Sequence, residues 1–181
     1  MRINVIPVSI LSDVHLRAEY REIIMSFHYL RRSTNSRDGI DWGTIPKSYT
    51  LNKGHAKFWY NKFQYIHNRF VELSNEMAGR GYETKSITNK YWELYEEVPA
   101  KLRNSYVPTY ADRLINVHRI LERIYIRKDS GYYKLSGNKM SWKDWVKFYT
   151  SELGIDSSTM DSMVTQIEQD FGQGLLTKHL L

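Results

Sequence analysis

Two groups near the front of the chain have the makings of covalent chemistry. One is the α-amine of Met1, a residue before Arg2; the other is Glu22, which closes the run Ala18-Glu19-Tyr20-Arg21-Glu22. A chain's α-amino group titrates near about 7.7–8.0, against roughly 10.4 for a lysine, so part of it is unprotonated at neutral pH without any burial. That makes it a natural nucleophile for Schiff-base formation. A carboxylate held alongside could stabilise a cationic imine and move protons. Together they are the equipment of an enzyme that attacks a sugar C1′. Methionine is removed ahead of small residues, and Arg2 is large, so Met1 is expected to stay as the first residue.

The elements that must position these groups read as helices. Ser12 is an N-cap candidate and Asp13 suits the positive end of a helix dipole. Val14, Leu16, Tyr20, Ile23, Ile24, Phe27 and Leu30 then recur at helical spacing, which predicts one helix over 13–33 carrying Arg21 and Glu22. Residues 34–54 are polar and broken by Gly39, Gly43 and Pro46, a long loop. Phe58, Trp59, Phe63, Ile66, Phe70, Leu73 and Met77 mark a second helix over 56–78, stopped by Gly79 and Gly81. Gly54 and His55 stand at its start, where backbone N–H groups could meet a phosphate.

Residues 82–107 read as irregular with a short helix at 90–97. Pro108 and Thr109 open a third helix running to about Arg127. Gly131-Tyr132-Tyr133-Lys134 is an aromatic, basic segment between glycines, and Ser141-Trp142-Lys143-Asp144 carries an N-capping signal. Helices over 142–153 and 158–171 end the chain. The fold class is all-α.

Composition sets outer bounds. The 181 residues suit one domain with a proper core, and a hydrophobic fraction of 41% argues against disorder. No apolar run approaches a membrane span and no signal-peptide stretch opens the chain, so a cytosolic protein is expected. The absence of cysteine removes disulfides, thiol nucleophiles and thiolate metal ligands. A net charge of +6, with abundant tyrosine and tryptophan, suggests a polyanionic partner, nucleic acid first. Charge alone leaves that open, because many basic domains bind nothing in particular.

Arg2-Ile3-Asn4, His15-Leu16, Ala18-Glu19-Tyr20-Arg21-Glu22, Gly54-His55 and Arg80-Gly81 fall in the order and spacing of the phage endonuclease V family. The resemblance runs from residue 1 to about 139, through Tyr106-Val107-Pro108 and Tyr132-Tyr133-Lys134. It implies a compact three-helix domain over 1–139, with 140–181 an added helical extension packed on it. That family comprises pyrimidine-dimer DNA glycosylases with an associated abasic-site lyase, working without metal or cofactor on duplex DNA. The resemblance implies that the α-amine of Met1 attacks C1′, with Glu22 as the catalytic glutamate. It places Arg2, His15, Arg21, Gly54, His55, Arg119, Arg123, Tyr132, Tyr133 and Lys134 at the DNA. Two positions depart from the family pattern: Val14 stands in place of a DNA-contacting glutamine, and Met25 in place of a phosphate-contacting arginine.

Each of these residues also has a plain reading. Glu22 is otherwise a solvated helix glutamate, and Glu19 or Glu22 could pair with nearby arginines for marginal gain. Arg2 and Arg21 are otherwise solubility charges, His15 a packing residue and His55 a helix cap. The second-helix aromatics read as core, whereas Tyr132 and Tyr133 read as candidates for stacking on DNA. Trp142 and Trp145 read as seats for the extra helices. The resulting expectation is a monomeric glycosylase and abasic-site lyase acting on pyrimidine dimers. A relative excising another damaged or modified base, or a non-catalytic DNA-binding protein on the same scaffold, are the alternatives.

Overall fold

A computed structural model describes residues 2–176, the side chain of Lys53 excepted. The protein is all-α apart from one small hairpin. Ser12 caps the first helix, α1 (Asp13–Glu22), its hydroxyl accepting the His15 N–H at 3.2 Å. The single helix expected over 13–33 is in fact two, because the chain breaks at Ile23–Ile24 before α2 (Met25–Thr34). There the Ser26 and Phe27 amides reach back three residues instead of four, and the Ser26 hydroxyl donates to the Ile23 carbonyl at 2.6 Å. A serine hydroxyl that competes for a helix carbonyl favours such a bend. Glu22 therefore sits at a helix end.

The second expected helix is also divided, into α3 (His55–Phe58) and α4 (Phe63–Gly79). Phe58, Trp59, Tyr60 and Phe63 are all buried, and one continuous helix cannot turn three successive residues to the same side. Lys62 satisfies the break, its ammonium donating to the Phe58 carbonyl at 2.9 Å. The stretch read as irregular contains a full helix, α5 (Lys85–Glu96), anchored by buried Tyr91 and Tyr95. The third expected helix, α6 (Tyr110–Ile126), starts on a Thr109–Asp112 capping box. The three main helices and the short one at 90–97 expected over 1–139 are thus six among the described residues, two of them products of breaks.

The aromatic-basic segment leads into a hairpin. Strands β1 (Lys134–Leu135) and β2 (Asn138–Lys139) pair antiparallel around Ser136 and Gly137, both at positive φ. Two such residues make the mirror-image turn that matches strand twist. The last helices, α7 (Trp142–Leu153) and α8 (Ser157–Gly172), lie within a residue of their expected bounds. They pack on α6 and on each other, burying Trp145, Tyr149 and Ile167 completely. The Tyr149 hydroxyl also donates to the Ile10 carbonyl, tying α7 to the N-terminal segment. Among the described residues no helix is long and apolar enough to cross a membrane.

Candidate active site and nucleic-acid interface

The site begins with an extended strap, residues 2–7, that enters the core without a strand partner. Ile3, Val5 and Ile6 are buried, so the strap's backbone polar groups have no water to satisfy them. Side chains do it instead. The Ile3 amide donates to His55 Nε2 at 3.2 Å, the Asn4 amide to Glu19 Oε1 at 2.8 Å, and the Val5 amide to Asn116 Oδ1 at 2.7 Å. On the carbonyl side, Tyr49 donates to Ile3, Tyr65 to Asn4, and Arg69 Nη1 to Ile6 at 2.6 Å.

Glu19 and Arg69 complete this lattice from α1 and α4. Arg69 donates from Nε and Nη2 to the two Glu19 oxygens, each at 2.9 Å, and both side chains are almost wholly enclosed. Burial alone would lower the Arg69 pKa, but the facing carboxylate more than offsets it and holds the guanidinium above its ordinary value. The Asn4 side chain donates to Glu19 at 2.6 Å and accepts from Asn116 at 2.7 Å.

The strap ends at a basic cavity of about 390 Å³. Its rim carries Arg2, Arg119, Arg123, Arg127 and Tyr132, and its floor includes Asn4, His15, Tyr49, His55 and Asn116. Arg2, at this mouth, pairs with Glu22, Nη1 to Oε1 3.1 Å, both side chains partly exposed. Arg119 pairs with Glu122 at 2.7 Å. Arg123 is pushed below its ordinary pKa by burial and by the neighbouring Arg119 and Arg2. Crowded cations of this kind gain from an anion between them.

His15 is buried under the rim, stacked on Tyr133 with ring centroids 4.8 Å apart, and Ser12 Oγ lies 2.9 Å from its Nδ1. Burial, then the charges of Arg2 and Arg123, drive its pKa down to about 3, so the ring is neutral at pH 7. Burial, and next Tyr132, raise the Tyr133 hydroxyl.

The expected site residues divide into four groups, the last of them Gly54 and His55. Arg2, His15, Arg119, Arg123, Tyr132 and Tyr133 line the cavity, and Glu22 joins them through its ion pair with Arg2. Met1 lies outside the described residues. Arg21, exposed on the last turn of α1, and Lys134, on β1 opposite Lys139, do not line the cavity. Tyr133 is not the exposed stacking surface expected of it, since only 8% of it is accessible, against 46% of Tyr132.

The helix start at Gly54–His55 is also different from expectation. A 3-10 turn over Asn52–Gly54 precedes it, and the His55 N–H is taken by the Asn52 carbonyl. Both His55 ring nitrogens are engaged: Nδ1–H donates to the Thr50 carbonyl at 2.8 Å, and Nε2 accepts from Ile3. His55 therefore holds the strap rather than a phosphate. Gly54 is there for close packing, because a Cβ would stand 2.7 Å from Thr50 Cγ2.

The site roles of Arg127, Asn116 and Asp13 escaped the sequence reading, whereas Val14 and Met25 were named in it. Arg127 places its guanidinium 4.6 Å over the Tyr132 ring, and a spacing of four from Arg119 to Arg123 to Arg127 was the available signal. Asn116 sits on an apolar helix face, where a polar residue signals a buried partner. Val14, on the cavity wall, and Met25, half-buried at the start of α2, are the two departures from the family pattern. Asp13 accepts the Ser136 and Gly137 amides at 3.0 and 2.8 Å and pairs with Arg80 at 2.8 Å, so it fastens the hairpin to α1 and α4. Residues 1–90 match the family described as pyrimidine dimer DNA glycosylase.

Proposed function

The chain belongs to the pyrimidine dimer DNA glycosylase family through its residues 1–90, and we propose that it couples base excision to abasic-site lyase chemistry through its own α-amine. The family makes it a DNA glycosylase, an enzyme whose substrate is DNA. The finer reading rests chiefly on one observation. Arg2, the second residue of the chain, meets Glu22 at the mouth of a cavity ringed by Arg119, Arg123 and Arg127. Residues remote in sequence thus bring the front of the chain, a carboxylate and a phosphate-attracting rim together.

The steps follow from that arrangement. The unprotonated Met1 nitrogen attacks C1′ of the 5′ nucleotide, and the glycosidic bond breaks with its electron pair leaving on the base. Loss of the amine protons and opening of the sugar ring at O4′ give an imine. A proton then leaves C2′ and the C3′–O bond breaks, which nicks the strand; water hydrolyses the imine and frees the enzyme. Glu22 stabilises the cationic imine and relays protons at the sugar. Arg2 neutralises phosphate beside the lesion, and Arg119, Arg123 and Arg127 hold the flanking backbone.

Double-stranded DNA is the partner this implies, bound by a monomer in which residues 1–139 perform the chemistry and 140–181 brace α6. Pyrimidine dimers are the favoured lesion. Val14 on the cavity wall and Met25 at the start of α2 each remove a polar contact of the family pattern, which favours as second reading a relative acting on another damaged or modified base.

The experiment is borohydride trapping with duplexes carrying a cyclobutane dimer, an abasic site, uracil or a modified cytosine. Trapping on the dimer, abolished when the α-amine is blocked, is the expected result. Cleavage without any trapped imine refutes the mechanism, and trapping that survives the block removes Met1 as nucleophile. Trapping on a base other than the dimer selects the second reading.

A further inference from the structure

The strap is held more elaborately than its burial requires. A chain end is the part of a domain most given to fraying. Here the six backbone groups with a partner between Ile3 and Ile6 are bonded by side chains from five parts of the fold: Tyr49 from the loop, His55 from α3, Glu19 from α1, Tyr65 and Arg69 from α4, and Asn116 from α6. Among these is a fully enclosed Glu19–Arg69 pair. Well-packed apolar residues of similar volume often stabilise a core as well as or better than such a pair, so stability alone does not account for it. What the ionic and amide groups add is location: hydrogen bonds fix the register and the axial position of an unpaired strand, where apolar contact lets it slide.

We propose that the buried lattice of Glu19, Arg69, Asn4 and Asn116, with Tyr49 and Tyr65, is a positioning device that sets where the front of the chain meets the sugar. These act as positioning residues, through the strap they hold; Asn4, Tyr49 and Asn116 also reach the cavity floor, whereas Glu19, Tyr65 and Arg69 do not line it. The inference rests on the reading that the chain's α-amine is the nucleophile. Asn116 has the widest reach, since it holds the Val5 amide and the Asn4 side chain at once. Tyr49 and Tyr65 each hold one carbonyl through one hydroxyl.

The test uses the full-length protein as wild type, Asn116→Ala, Tyr49→Phe and Tyr65→Phe. Three quantities are read for each: the trapping rate at saturating abasic duplex, the affinity for a duplex holding a tetrahydrofuran abasic analogue, and the melting temperature. Small misplacements of a reacting group cost up to about 100-fold in rate, so Asn116→Ala is expected to lower the saturating trapping rate by about tenfold or more. Tyr65→Phe, whose ring does not line the cavity, is expected to lower it by severalfold with affinity for the analogue unchanged and the protein folded at assay temperature, and Tyr49→Phe is expected to lower the rate to a similar extent. A role in stability alone predicts the reverse, a lower melting temperature with wild-type rate in the folded fraction. Wild-type trapping rates in folded Tyr49→Phe and Tyr65→Phe overturn the proposal even if Asn116→Ala fails to fold. If the wild type itself is not trapped through its terminus, the nucleophile reading falls instead, so the two failures are distinct.

Discussion

Asp13→Asn isolates the joint that fixes the hairpin. Its carboxylate accepts the Ser136 and Gly137 amides and pairs with Arg80, whose side chain is only 5% exposed. Hydrogen bonds to a charged group contribute about 1.5–3 kcal/mol each, and removing one partner of a buried pair costs about 3–5 kcal/mol. These overlap, because the orphaned guanidinium still donates to the Leu11 and Ser9 carbonyls and to Glu76. Asparagine keeps one acceptor oxygen and turns an NH2 group toward donors that need an acceptor. A loss of about 2–3 kcal/mol follows, which for a chain of this size lowers the melting temperature by roughly 4–12 °C. The same change loosens the hairpin whose first strand follows Tyr132, the ring on which Arg127 rests, so DNA affinity should fall by about tenfold, or about 1.4 kcal/mol. Saturating trapping should not change, since Asp13 lies off the strap. Urea unfolding, hydrogen exchange at the Ser136 and Gly137 amides and fluorescence anisotropy with duplex DNA measure the three effects. Wild-type exchange protection at those amides, or a loss of saturating rate with affinity intact, refutes the argument.

His15 predicts an acid-sensitive fold: its pKa is about 3 folded against 6.5 unfolded, so the unfolded chain alone takes up the proton as pH falls below 6.5. That contribution to stability is intact above pH 6.5 and lost at about 1.4 kcal/mol per pH unit below it, levelling off near pH 3; urea midpoints between pH 7 and 5 should fall less in His15→Gln than in wild type, and parallel falls would discard the account. Glu22→Gln should cut saturating trapping by about 100-fold or more while leaving affinity for the abasic analogue near wild type, the range expected for a proton-transfer group; unchanged turnover removes Glu22 from the chemistry. Gly54→Ala drives a Cβ to 2.7 Å from Thr50 Cγ2 and should cost about 1–3 kcal/mol by overpacking. Thr50→Ser, which deletes that methyl, should restore most of it, and additive losses in the double variant would contradict the contact.

Helices that present a single apolar stripe were legible: α6, α7 and α8 start and stop where capping residues and spacing put them. The breaks at Ile23–Ile24 and at 59–62 were not, because each depends on a side chain, Ser26 or Lys62, capturing a carbonyl that a helix would use. The hairpin was hidden for a related reason, since a two-residue strand is too short to show alternation. At the site, Arg2, Glu22, Arg119 and Arg123 were within reach of sequence; the three arginines line one cavity and Glu22 is paired with Arg2. Glu19 and Arg69 were not, although their positions carried a clue. Leu16, Glu19 and Ile23 share one face of α1, and Ile66, Arg69 and Leu73 share one face of α4, each triplet at the same spacing. A charge in the middle of each apolar stripe, of opposite sign, points to one buried pair.

The geometry of α6 ties the scaffold to the electrostatics. Its Asn116 and Ile120 face the strap and cavity, while Tyr125 meets Trp142 of α7 and Phe171 of α8 edge-on at 4.9 and 5.2 Å. The helix is therefore gripped on two sides, and rotation about its own axis is what the grip prevents. Arg119, Arg123 and, just past the helix end, Arg127 recur every fourth residue, so one rotation angle sets the direction of all three. An arginine row whose members repel each other would turn apart toward water if the helix could roll. Held in place, it keeps a field that an anion lowers and an empty site does not, and that field lies where Arg2 and Glu22 meet.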